Sequence, residues 1–165
     1  MISPEIIRRY PFFAGFTYDD TVKLANVAEE MHVEAGYCFF HENELLAHIY
    51  FALEGAVGVV MELPAPDVEH PVSDQFTGQL KTQDVVVSPI GPGELFGWSA
   101  LVPPCQASAG AKALTACRVL AFDAARLNKL FAEDCRFGYL MMQKLADVIR
   151  ARLRDLRIES LALAV

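Results

Sequence analysis

Ile90-Gly91-Pro92-Gly93-Glu94-Leu95-Phe96-Gly97-Trp98-Ser99-Ala100-Leu101 divides a 165-residue chain into two β-rich stretches. Glycine, proline and small residues dominate from residue 91 to residue 110. Just before it, Val85-Val86-Val87 and Ile90 predict a strand, and two more are predicted around Ala113-Leu114 and Val119-Leu120-Ala121-Phe122. Further upstream the pattern alternates with a strand period from Met31. Residues 31–37, 38–41, 48–53 and 56–61 read as strands, separated by turns at Gly36, Glu42-Asn43-Glu44 and Glu54-Gly55. About eight short strands between glycine-bearing turns imply a mainly β sandwich, roll or barrel. Residues 62–83, interrupted by Pro64, Pro66, Pro71 and Gly78, read as a long surface loop or extended hairpin.

Helices flank this centre. Ser3-Pro4-Glu5 supplies a cap, a proline at the first helical position and an early acid, and Thr17 caps a second helix, so residues 1–31 read as helical. Asp123 caps a helix over residues 124–131, and a longer one starts near Asp134 or Cys135 and runs close to Val165. On it Met142, Ile149, Leu156 and Leu163 recur every seven residues beside Leu145, Val148 and Leu153. Such a seam either packs on its own domain or joins two copies. A helix this long outruns a small roll, so a homodimer is expected through Met142, Leu145, Ile149 and Leu156. Arg150, Arg152, Arg154 and Arg157 read as a solvated face.

Composition narrows the function. Apolar residues make up 53% and charged residues 21%, enough for one core and too apolar for a disordered chain. The net charge of −7 argues against direct nucleic-acid binding, which needs a basic surface. No apolar run approaches the ~18 residues of a membrane span. With no signal-peptide pattern at the N-terminus, the expected location is cytoplasmic. Cys38, Cys105, Cys117 and Cys135 form no CxxC pair and read as reduced and mostly buried. His32, His41, His48 and His70 show no metal-ligand spacing, so no metal is expected. No nucleophile motif stands out, and no Cys–His arrangement is visible, so the chain is not read as an enzyme.

Three stretches, in order, resemble the cyclic nucleotide-binding domain family of catabolite activator-type regulators and protein kinase A regulatory subunits. The first is residues 6–16, a helix followed by Pro11-Phe12-Phe13-Ala14-Gly15. The second is residues 34–55, with Gly36, Tyr50 and Gly55 at matching positions. There Asn43 replaces a glycine, and asparagine tolerates the left-handed conformation. The third is residues 90–101, similar to the family's phosphate-binding cassette, "Gly-Glu-x-Phe-Gly-Glu-x-Ala-Leu". The resemblance implies an eight-stranded β-roll (a jelly roll, or double-stranded β-helix) at 32–122. N-terminal helices at 1–31 and C-terminal helices at 123–165 complete a single domain, with no DNA-binding domain expected.

It also implies a ligand pocket and, with it, departures. Glycines let the backbone approach a phosphate, a glutamate reads the ribose, and an arginine grips the cyclic phosphate. Gly93, Glu94, Phe96, Gly97, Ser99 and Ala100 match the cassette, but the ribose-reading glutamate falls on Trp98. The arginine falls on Ala107, while Ser108 keeps the adjacent hydroxyl. Gln106 and Lys112 are the remaining polar candidates, though a strand lysine ordinarily faces solvent. Charge-assisted hydrogen bonds contribute ~1.5–3 kcal/mol each, so losing both readers removes several powers of ten in affinity. Trp98 either plugs the pocket or offers a stacking platform to another ligand. Two functions follow as expectations. One is a regulatory module sensing a small metabolite or a weakly held cyclic nucleotide. The other is a ligand-independent dimeric scaffold for a protein partner.

Overall fold

The structure is a computed structural model that describes residues 2–64 and 82–163. Helix α1 (Pro4–Arg8) leads through a 3-10 turn, Pro11–Phe13, to α2 (Tyr18–Val27). Thr17 begins α2 with a capping box: its side chain accepts from the Asp20 N–H, and the Asp20 carboxylate accepts from the Thr17 N–H. Ser3, by contrast, makes no side-chain cap bond.

Eight strands follow: β1 (Ala28–Val33), β2 (Cys38–Phe40), β3 (His48–Glu54), β4 (Val57–Pro64), β5 (Thr82–Ile90), β6 (Leu95–Phe96), β7 (Gly110–Ala113) and β8 (Cys117–Asp123). They form two four-stranded antiparallel sheets, ordered β1-β8-β3-β6 and β2-β7-β4-β5. This is the expected β-roll, with two corrections to its limits. The first strand starts at Ala28, not Met31, because Ala28-Glu29-Glu30 extends the ladder against Phe122, Ala121 and Leu120. Residues 62–64 and 82–83 belong to the β4–β5 hairpin. The loop expected between them, and with it His70, lies outside the described residues.

The core lies on both faces of the β1-β8-β3-β6 sheet: Val57, Ile90 and Val119 are fully enclosed between the sheets, and Phe51 and Leu120 on that sheet's other face. The N-terminal segment closes one end: the rings of Tyr10 and Phe13 each lie 4.9 Å from that of Phe51. After β8, Asp123 caps α3 (Ala124–Glu133) by accepting from the Arg126 N–H. Helix α4 (Cys135–Leu163) then runs 29 residues. Phe137, Met141 and Leu145 are its buried face. Leu145 therefore belongs to this chain's own core and leaves the expected seam, because it points toward the roll. Met142, Ile149 and Leu156 remain exposed.

Candidate functional site

Strand β6 and the 3-10 turn Trp98–Leu101 carry the cassette. Gly97 joins them in the left-handed region, at φ 72°. A Cβ there would lie 3.2 Å from the Tyr50 ring and 3.3 Å from the His48 carbonyl oxygen, so the position suits glycine on both conformational and steric grounds. The rings beneath form a stacked floor: Tyr50 lies 5.1 Å from Phe96 at 16°, and 6.1 Å from Phe40 at 24°. Burial pushes the Tyr50 hydroxyl up from its ordinary pKa, keeping it neutral.

A cavity of about 50 Å³ opens above this floor, between Gly97-Trp98-Ser99 and residues 107–111, with Phe40, Leu46, Val59 and Phe96 completing the wall. Its rim is tied across the roll. The Asn43 N–H donates to the Ala107 carbonyl, the Ala107 N–H donates to the Glu44 carbonyl, and Gln106 Nε2 donates to the Asn43 carbonyl. Asn43 does adopt the left-handed conformation, at φ 65°.

The structure thus brings Phe96, Gly97, Trp98, Ser99, Ala107 and Ser108 together on one cavity. The other candidates sit elsewhere. Ala100 is buried just behind the turn. Gln106 is spent on the rim. Lys112 projects from β7 to Asp84 at 2.8 Å, and that hydrogen bond raises its pKa, so it supplies no charge to the cavity. Glu94, beside Gly93, turns away from the cavity. One of its oxygens accepts from the Gly91 N–H at 2.6 Å, and the other accepts from Arg152 Nη2 of α4 at 3.2 Å.

Arg152 does not belong to the solvated arginine face that the sequence predicts. Its side chain is only 13% exposed and also donates to the Ser88 hydroxyl and the Pro89 carbonyl. The signal was available as periodicity: Phe137, Met141, Leu145, Val148 and Arg152 lie on one face at helical spacing, so the face that buries Leu145 also buries Arg152. Of the aromatic residues at the start of α4, Phe137 is fully buried between Phe16 and Phe131, at 5.7 and 5.4 Å, whereas Tyr139 is exposed.

Comparison with known proteins adds to this geometry. A family profile, the cyclic nucleotide-binding domain, matches residues 30–134. A protein of Rhodopseudomonas palustris that carries a potassium-channel name is 24% identical over 160 residues. The match covers 96% of this chain, which spans only 34% of that relative's length. Among solved structures, one described as a cyclic nucleotide-binding protein from Geobacter metallireducens is similar with a TM-score of 0.73 and 28% identity, over 93% of this chain and 99% of the other. The N-terminal domain of a transcriptional regulator from Streptomyces coelicolor shares the fold, with a TM-score of 0.64 and 22% identity over 92% of this chain and 94% of the other.

Proposed function

The chain belongs to the cyclic nucleotide-binding domain family, and on that premise we propose that it is a non-enzymatic regulatory module that does not hold cyclic AMP or cyclic GMP tightly. One observation carries this reading. Trp98 and Ala107, at the positions where the family resemblance puts a glutamate and an arginine, both wall the cavity, and among the described residues no charged side chain does. A cyclic phosphate entering it would lose water without gaining a cation, an expensive exchange. The volume of about 50 Å³ holds a water or two and is well below the ~300–1,000 Å³ of ordinary ligand pockets. A ligand would have to be small and uncharged, with an apolar face, and would enter only with displacement of Trp98.

Regulation would run from the cavity to the long helix. Gly97 and Trp98 directly follow β6, and β6 directly follows Glu94, the residue that Arg152 grips. A ligand that displaces Trp98 would bias the helix only by binding one of its arrangements better than the other. The expected setting is cytoplasmic; among the described residues no helix is long and apolar enough to cross a membrane.

A second reading, a ligand-independent dimeric scaffold acting on a protein partner, is favoured by the exposed apolar residues of α4.

A thermal-shift titration tests the first. A ligand at 100 times its dissociation constant stabilises a fold by ~2.7 kcal/mol. The natural chain is expected to show no saturable shift with cyclic AMP or cyclic GMP up to millimolar concentration. The double variant Trp98→Glu, Ala107→Arg is expected to gain one. A saturable shift of the natural chain at micromolar cyclic AMP would sink the proposal. A folded double variant without any gain would overturn the assignment of the two positions.

A further inference from the structure

On the outer face of the β2-β7-β4-β5 sheet, away from the cavity, three side chains converge, Cys38 and His41 from β2 and the turn after it and Glu62 from β4. His41 Nδ1 lies 2.6 Å from Glu62 Oε1, and His41 Nε2 lies 3.6 Å from Cys38 Sγ. The carboxylate can only accept, so Nδ1 carries the proton shared with Glu62, and Nε2 of the neutral ring is left as an acceptor facing the thiol. The thiol's other acceptor is the Phe40 carbonyl, at 3.5 Å. A nucleophile, a base and a carboxylate that orients the base, each within hydrogen-bonding reach of the next, make a relay that a lone surface cysteine lacks. Cys38 is partly exposed, so solutes reach it. With Glu62 on Nδ1, only Sγ and Nε2 are free to bind a metal, and among the described residues no group of three or more His, Cys, Asp or Glu could hold one.

We propose that Cys38, His41 and Glu62 form a base-assisted thiol that takes small neutral electrophiles, and that its substrate class is hydrogen peroxide. Charge selects the electrophile. Glu44, Glu62 and Asp84 face the thiol; among the described residues Lys112 is the one opposing cation, and it is itself paired to Asp84. Such surroundings repel anions such as oxidised glutathione and leave uncharged peroxide unaffected. Burial, followed by those three carboxylates, pushes the thiol above its ordinary pKa, so Cys38 is not a preformed thiolate at neutral pH and needs the base. The hydrogen bond to Glu62 raises His41 from 6.5, which sets a lower pH limit on the neutral ring.

In the step, Sγ attacks one peroxide oxygen as the O–O bond breaks. The thiol proton moves to His41 Nε2 and then to the departing oxygen, which leaves as water. Sulfur loses two electrons and the peroxide gains them, giving a sulfenic acid. The product forms two residues from Phe40, a wall of the cavity.

The test treats the full chain with hydrogen peroxide from pH 6 to 9.5, traps sulfenic acid with dimedone and quantifies each cysteine by mass spectrometry. The rate at Cys38 is expected to rise through a step set by His41, above pH 6.5. His41→Gln is expected to lower that rate about tenfold or more, at the modest end of general-base effects, while Cys105 and exposed Cys135 keep theirs. Glu62→Gln is expected to move the step to lower pH, because His41 loses the carboxylate that raises it, an effect that a merely structural role would not produce. Oxidised glutathione is expected to modify Cys38 more slowly than Cys135. An unchanged Cys38 rate in His41→Gln, or an equal loss at Cys135, would overturn the proposal. So would a pH profile that follows thiol ionisation alone, or glutathione modification of Cys38 as fast as that of Cys135.

Discussion

Asp20 is the one buried carboxylate among the described residues, at 1% exposure. Burial pushes it up, but the Arg136 guanidinium at 2.7 and 2.8 Å and the donors of Thr17 outweigh that, and its pKa ends below the usual 3.8. A depressed carboxyl adds stability above its unfolded pKa and loses it as the pH falls through the folded value. The contribution of Asp20 is therefore complete at neutral pH and disappears below about 3.8. Asp20→Asn is expected to cost about 1–3 kcal/mol at pH 7, the range for leaving buried polar groups without their partner. It should also flatten the acid limb of a Tm-against-pH curve. A variant whose acid limb matches the natural chain's would show that Asp20 does not carry this dependence. Thr17 followed by an acid three residues on is legible as a capping box, whereas Arg136, 116 residues away, is not.

At the scale of elements, α4 has two parts. From Phe137 to Arg152 one face packs on the roll; from Leu153 to Leu163 every residue is exposed. At 1.5 Å per residue these last eleven extend about 16 Å. The hinge between the parts is Arg152, joined to Ser88, Pro89 and Glu94. Glu94 is 48% exposed, so solvent screening keeps the arginine's contribution near 1 kcal/mol. Arg152→Ala is expected to speed amide exchange about fivefold over residues 148–163 while β3 and β8 keep their protection. Unchanged exchange there would mean that apolar packing alone docks the helix. Strand β6 escaped prediction because two residues show no period; its existence depends on Tyr50 and Phe51 lying opposite Phe96 and Leu95.

At the scale of the whole molecule, the exposed apolar residues of α4 need a cover. Met142, Ile149, Leu153 and Leu156 are 37–48% exposed and lie on one face, about a quarter turn from the docked one. A parallel or antiparallel copy of the same helix would bury them. The natural chain is expected to sediment as a dimer at micromolar concentration, and Ile149→Asp as a folded monomer. A natural chain that sediments as a monomer would remove the homodimer and leave the seam to another partner.

The sequence by itself determined a mainly β centre and the capping of α2 and α3, because periodicity and caps are local; the β-roll and the left-handed Asn43 were implied by the family resemblance. It also carried the uncharged side chains of Trp98 and Ala107, because residue type is read directly. Tertiary structure alone decided that Leu145 faces the core and that Arg152 joins Glu94, 58 residues away. It likewise decided that Cys38, His41 and Glu62 share one face, since β2 and β4 lie on either side of β7 in the sheet. Contacts between distant segments follow from sheet order and helix docking, which are set by how the whole chain buries its apolar surface.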